Sequence, residues 1–443
     1  MPYRFEAAGY RRGGAARTSR GARSSRRSRS VAMVPDRFVS VDALRGFDMF
    51  WIVGAAYLVS ALERWTGAGF LTGIKAQLHH VDWEGFAFYD LIFPLFVFIT
   101  GVSAAFSLKR IVEREGRTAA AKRIIRRTLL LFFLGLIYSG GVAGNAYVPP
   151  DGGDPTTRQL IAHFLDNTRL LGVLNRIALA YGVSGFLYLL LPIPLLLPVF
   201  GGLLLGYWGI MANLPIRDIS LSREALATLA QETGETNTAT LYLSATNLVT
   251  GRYGPGYNVA NHFDYRFLPG RKHDGNYDPE GILSTMPAVA TCLLGMLAGA
   301  FLLSPDTAPT AKTIVLVVLG ILLVATGFVW GLSFPVVKKI WTSSFVCVAG
   351  GYSLILLGVF HQIVDVWAFE TWCRPFVWIG SNALVLYLGA SILNYRRVAE
   401  RLVGGPIAGH LGRTGEVLVA GVALFVLFWF ARYLYRRQLF LRL

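Results

Sequence analysis

The stretch His79-His80-Val81-Asp82-Trp83-Glu84-Gly85, followed by Asp90, collects the side chains best able to do chemistry. A histidine beside carboxylates can serve as a base near neutral pH, because an unperturbed imidazole titrates near ~6.5. Two adjacent histidines are poor metal ligands on a helix, where i, i+4 spacing is wanted, so no metal is expected here. Asp90 is the sharper anomaly. It is followed by Leu91-Ile92-Phe93-Pro94-Leu95-Phe96-Val97-Phe98, and a carboxylate there must face a partner or a water-filled cavity. Two readings stay open for it: a catalytic partner, or a buried structural acceptor.

Four further clusters carry charge into apolar surroundings. Ser40-Val41-Asp42-Ala43-Leu44-Arg45-Gly46-Phe47-Asp48 opens the first apolar run, with Asp42 and Arg45 three apart on one helical face. A local ion pair anchoring the membrane boundary is the alternative to a functional Arg45. Gly172-Val173-Leu174-Asn175-Arg176-Ile177 sets Asn175 and Arg176 inside another apolar run, where a guanidinium suits phosphate or carboxylate, or pairs with Asp48 or Asp90. Tyr277-Asp278-Pro279-Glu280-Gly281-Ile282 reads as a helix start, with Asp278 as N-cap, Pro279 at N1 and Glu280 near the positive end of the dipole. Lys338-Lys339-Ile340-Trp341-Thr342 has the residue types of an interfacial anchor. Cys292, Cys347 and Cys373 have no metal-ligand spacing, and no P-loop, dinucleotide fingerprint, HExxH or GxSxG motif is present.

These residues must be positioned by membrane helices. The 443 residues are 54% apolar and 15% charged, with a mean hydropathy of +0.49. A soluble domain is nearer ~25% charged. Ten apolar runs are long enough to span a hydrocarbon core of ~30 Å, at about 46–63, 86–108, 128–143, 170–191, 194–212, 282–303, 313–333, 341–360, 375–394 and 415–431. The expected fold is therefore an all-α polytopic membrane protein, with 213–281 a long extracytoplasmic segment between the fifth and sixth helices. The formal charge of +16 suggests nucleic acid until it is placed along the chain. Residues 1–36 carry +7 and residues 109–127 carry +6. Residues 1–36 read as an Arg-rich disordered tail, with Met33 an alternative start, and 37–443 as the membrane domain. Short basic flanks face the cytoplasm, which puts both termini inside and His80 outside. The loop 394–414 disagrees: Arg396, Arg397, Arg401 and Arg413 fall on the outer side, so it folds back or one helix is miscounted.

In this order, Arg37-Phe38-Val39-Ser40-Val41-Asp42-Ala43-Leu44-Arg45-Gly46, His80-Val81-Asp82-Trp83-Glu84-Gly85, Asp90-Leu91-Ile92-Phe93-Pro94, Asn175-Arg176, Asp278-Pro279-Glu280-Gly281, Lys339-Ile340-Trp341-Thr342 and Asn382-Ala383-Leu384 resemble the heparan-α-glucosaminide N-acetyltransferase family. The resemblance covers about residues 37–395. It implies acetyl transfer across a membrane, from cytosolic acetyl-CoA as co-substrate to an amino sugar of an extracytoplasmic glycan. On that analogy His80 is the active-site histidine, and Asp90 is expected beside it as a second catalytic residue. Arg45, Asn175 and Arg176 would bind the co-substrate, and Trp83, Asp278, Glu280 and Trp341 the sugar. His80 would either be acetylated itself or act as base toward the acceptor. Membrane lipid and a second copy of the chain are the other expected partners; nucleic acid is not. The family uses an Asn on the helix that follows Arg45-Gly46, where Val53-Gly54-Ala55-Ala56-Tyr57 offers none. Two alternatives stand beside this reading. One is O-acylation of a cell-envelope polysaccharide, as in acyltransferase-3 proteins that share the Asp-x-x-Arg-Gly start. The other is transport of a sugar or lipid-linked precursor past Asp90 and Arg176.

Overall fold

The computed structural model describes residues 38–139, 154 and 156–441, and is helical apart from four two-residue strands. Residues 1–36, read above as a tail, lie outside the described residues. Uncharged runs of Leu, Val, Phe, Ala and Gly can satisfy their backbone in hydrocarbon only by closing helical hydrogen bonds within the run.

The chain opens with α1 (Val39–Phe50), passes through a π-helical turn at Trp51–Ala55, and continues as α2 (Ala56–Thr66) and the short α3 (Gly69–Gln77). Next come α4 (Phe88–Glu115) and α5 (Arg117–Tyr138), joined through Gly116, then α6 (Thr157–Asn167). Helices α7 (Val173–Leu190) and α8 (Ile193–Asn213) meet at Pro192. The following segment holds α9 (Arg223–Thr233), α10 (Thr238–Ser244), α11 (Val259–Phe267) and two short antiparallel pairs, Ile216–Arg217 with Leu248–Val249 and Tyr253–Gly254 with Tyr257–Asn258. It is thus folded along its length. Then follow α12 (Thr285–Leu302), α13 (Pro309–Gly331) and α14 (Ser343–Phe360), the last running on as a π-helix to Val366. The chain ends with α15 (Arg374–Ser381), α16 (Ala383–Ile392), α17 (Tyr395–Val403), α18 (Pro406–Leu411) and α19 (Arg413–Arg436).

Among the described residues, eight of the ten expected spans are helices long and apolar enough to cross a membrane. The other two differ for visible reasons. The first half of α5 carries Arg117, Lys122, Arg123, Arg126 and Arg127, and the run at 375–394 is broken at Asn382 into α15 and α16. The loop at 394–414 folds back: Ala399 of α17 packs with Val419 and Ala423 of α19, and Arg396 lies 4.3 Å over the Tyr57 ring.

Close helix approach is set by glycine. A Cβ on Gly101 would sit 2.0 Å from the Cys292 carbonyl oxygen, and one on Gly295 2.0 Å from that of Phe98, so α4 and α12 touch backbone to backbone. Gly46 and Gly380 do the same for α1 and α15, at 1.8 Å from the Phe376 oxygen and 1.9 Å from that of Asp42. The Arg45-Gly46 pair of the first motif therefore has a packing reason. Leu95, Phe98, Leu293 and Phe345 fill the core between α4, α12 and α14.

Candidate active site

The chain from α3 into α4 makes a tight loop because Asp90, third residue of α4, ties it together. One Asp90 oxygen accepts the backbone N–H groups of Ala87 (3.2 Å) and Val81 (3.3 Å). The other lies 2.8 Å from His80 Nδ1 and 3.3 Å from Lys338 Nζ. Asp90 is buried, while the His80 side chain is 53% exposed and its ring lies 4.8 Å from that of Tyr89, tilted 47° to it. Lys338 Nζ is also 2.9 Å from His80 Nδ1 and 3.4 Å from Nε2. A carboxylate can only accept, so we assign the ring proton to Nδ1, which donates to Asp90, and let Lys338 donate to Asp90 rather than to the protonated nitrogen. Nε2 then keeps its lone pair. Burial pushes the Lys338 ammonium below its usual value, and the Asp90 carboxylate pulls it back up.

Among the described residues, His80, Lys338 and Glu280 are the acidic and basic groups on a cavity of about 250 Å³ whose other walls are aromatic or aliphatic, among them Tyr89, Phe93, Phe96, Leu174 and Tyr387. A second cavity, of about 300 Å³, lies toward the end of the bundle where α1 begins and α4 ends, and is lined by Arg45, Arg123, Arg127, Ser103, Ser107 and Asn382. Phe96, Leu174, Ile177 and Leu384 line both. One thin apolar partition therefore separates an imidazole from a cluster of guanidiniums. Arg45 is held by Asp42 at 3.4 Å, by the Gly380 carbonyl at 3.4 Å and by the Ser103 hydroxyl. Both amide atoms of Asn382, at the break between α15 and α16, are buried without a protein partner.

The other residues singled out by the sequence form the scaffold beside the first cavity. Asp278 sits in a turn ahead of α12, which begins at Thr285 with Ser284 as N-cap, six residues later than the capping pattern suggests. Its carboxylate accepts two bonds from Arg169 (2.8 and 2.6 Å) and the backbone N–H groups of His273 (2.9 Å) and Glu280 (3.0 Å). Arg169 also reaches Glu280 at 2.5 Å. Burial opposes the charge on Arg169, but the two carboxylates outweigh it and hold its pKa above the usual value. Burial raises Glu280 above the ordinary carboxylate range despite the nearby guanidiniums of Arg176 and Arg169.

Arg176 is fully buried; it donates to the Pro279 carbonyl at 2.7 Å and to the Ser284 hydroxyl, and lies 4.8 Å over the Trp341 ring. Asn175 donates to the Phe132 carbonyl at 2.9 Å, which ties α7 to α5. Trp83 donates to the Tyr253 carbonyl at 2.8 Å and docks the His80 loop on the folded segment. The structure thus brings His80, Asp90 and Glu280 to one place and Arg45 to the other. Asn175, Arg176, Trp83, Asp278 and Trp341 are not among the described residues lining either cavity. Sequence reasoning passed over Lys338, read as an interfacial anchor, and Arg169. The signal for Arg169 was its place just ahead of the Gly172–Arg176 motif.

Comparison with known proteins agrees with the ordered motifs. No family model matches the chain. It is 28% identical over 450 aligned positions to a Homo sapiens heparan-α-glucosaminide N-acetyltransferase, covering 93% of this chain and 60% of that protein. It is 27% identical over 399 positions to the Mus musculus protein of the same name, covering 82% and 56% respectively. The chain spans less than two thirds of the length of these curated relatives. With the motifs in order on an all-helical bundle, the chain is similar over most of its length to heparan-α-glucosaminide N-acetyltransferases.

Proposed function

We propose that the protein is an integral-membrane acyltransferase that moves an acetyl group from acetyl-CoA in the cytosol to an amino sugar of an extracytoplasmic glycan. The observation that carries this is the pair of cavities sharing four apolar residues, one holding His80 and the other Arg45, Arg123 and Arg127. Guanidiniums bind phosphates by charge-assisted, often bidentate hydrogen bonds, and the second cavity supplies three. Basic flanks mark that end as cytoplasmic, with α5 and α15–α16 as the ninth and tenth crossings and both termini inside.

At the partition, His80 Nε2 has a lone pair and Asp90 stabilises the positive charge the ring gains. Two routes balance. In one, Nε2 attacks the thioester carbonyl, the C–S bond breaks, the thiolate takes a proton, and the acetyl-imidazole then passes its acyl group to the acceptor amine. In the other, Nε2 takes the amine proton as the amine attacks the thioester directly, and that proton ends on sulfur. Acetyl label that stays on the protein without acceptor, and is lost in His80→Ala, selects the first. Purified protein in nanodiscs, given labelled acetyl-CoA and glucosamine, is expected to form an alkali-stable acetyl amide. An alkali-labile ester would select the O-acyltransferase reading. Full transfer by folded His80→Ala would overturn the site.

A further inference from the structure

A third cavity, of about 670 Å³, opens beside the first on the His80 side of the bundle and plays no part in the chemistry above. Arg169, Arg223, Arg271, Lys272 and His273 line it, and Asp166 is the one carboxylate among the described lining residues. The loop that supplies three of these groups is built in place. Arg271 N–H donates to the Thr168 carbonyl at 3.2 Å, Lys272 bridges to Gly275, and His273 N–H donates to Asp278. Gly275, at φ 89°, lets Arg223 pack against the turn: a Cβ there would lie 3.1 Å from Arg223 Nε. Arg223 in turn donates to the His273 carbonyl at 3.2 Å.

The cavity adjoins the His80 cavity. Val173 lines both, and the partition beside it is the Arg169–Glu280 pair, with Arg169 on the basic side and Glu280 on the His80 side. Its rim has a second character. Exposed Phe133 and Ile137 lead along α5 to Tyr138 and Ser139 at its edge, and exposed Leu160, Ile161 and Phe164 lead along α6 to Asp166 and Asn167. Cations therefore begin where the outward-facing apolar side chains of two helices stop. That sequence of surfaces fits an amphiphile with an anionic head and a hydrocarbon tail.

We propose that this cavity holds the phosphate of a lipid-linked sugar, so that the acceptor is a sugar carried on a phosphate-bearing lipid and presented to His80 past the Arg169–Glu280 pair. The assignment rests on the transferase reading for its acceptor role, but the binding can be measured alone. Protein in phosphatidylcholine nanodiscs would be tested for binding of polyprenyl-phosphoglucosamine, soluble glucosamine 1-phosphate and glucosamine, without acetyl-CoA. The lipid-linked sugar is expected to bind tightest and glucosamine weakest. Arg271→Gln with Lys272→Gln should weaken the lipid-linked sugar at least tenfold, whereas Arg271→Lys with Lys272→Arg should retain it. Unchanged binding in the Gln double variant overturns the site. Equal affinity for glucosamine 1-phosphate and the lipid overturns the lipid, and equal affinity for glucosamine overturns the phosphate. The expected binding pattern with no acetyl transfer to any of the three would support the cavity while counting against the transferase reading.

Discussion

His80, Asp90 and Lys338, and Arg169, Asp278 and Glu280, are both ion clusters at the first cavity drawn from distant parts of the chain. They differ in what they leave unsatisfied. The Arg169 cluster is closed: side chains 17%, 0% and 12% exposed, with the Asp278 oxygens taking four donors between them. The His80 cluster has an equally buried carboxylate, but half of the imidazole is open and Nε2 has no carboxylate partner. A saturated cluster holds loops together. A cluster that saturates its anchor and leaves half an imidazole open beside a cavity is equipped to react.

Substitutions can break that contrast from either side. His80→Ala should cost about 10²–10⁴-fold in acetyl transfer, the range for a positioned acid–base group, with an unchanged thermal midpoint. Arg169→Met should do the reverse. Removing one partner of a buried pair costs about 3–5 kcal/mol, because it strands the other charge, so folded yield and melting temperature should fall. If Arg169→Met melted like the parent and lost only activity, the scaffold role would be wrong.

The same contrast explains how much of the site could be read from the sequence. The spans were legible because apolar runs of this length have one backbone solution in hydrocarbon. Asp90 stood out because a carboxylate heading an apolar helix demands a partner, and His80 is only ten residues away. Lys338 is 258 residues from His80, and Arg169 is more than 100 from both its carboxylates. Nothing local distinguishes Lys338 from an interfacial cation, and Arg169 is marked only by its place just ahead of the Gly172–Arg176 motif. The break at Asn382 was equally hidden, since its flanks Val377–Ile379 and Ala383–Leu386 are as apolar as an unbroken span. The cavities arise from which helices pack together, which the hydropathy pattern does not encode.

A smaller effect is expected at Asp90. Asp90→Asn keeps the shape and can still accept from Val81 and Ala87, but loses the charge facing the imidazole. A hydrogen bond to a charged group contributes about 1.5–3 kcal/mol, which is roughly 10–150-fold in rate. The loss should fall on kcat rather than KM, because the substrate contacts stay. An equal rise in KM instead would make Asp90 a determinant of cavity shape.

The smallest effect concerns the closed cluster's neighbour Asp264, which packs against Gly281 and accepts the Ile282 N–H at 2.9 Å. Burial pushes its carboxyl up to about 7, against that hydrogen bond. The ordinary value in an unfolded chain is about 3.9. Between those values the folded state binds more protons than the unfolded one, so this group's contribution to stability declines as pH rises from about 4 to about 7 and then levels off. Asp264→Asn keeps an oxygen for Ile282 and never ionises, so its melting temperature should lose that part of the pH dependence and match the parent most closely near pH 4. An unaltered slope in the variant would assign the proton elsewhere in the scaffold. It would also narrow the contrast between the two clusters, since the closed one would then hold its charges without a neutral carboxyl beside them.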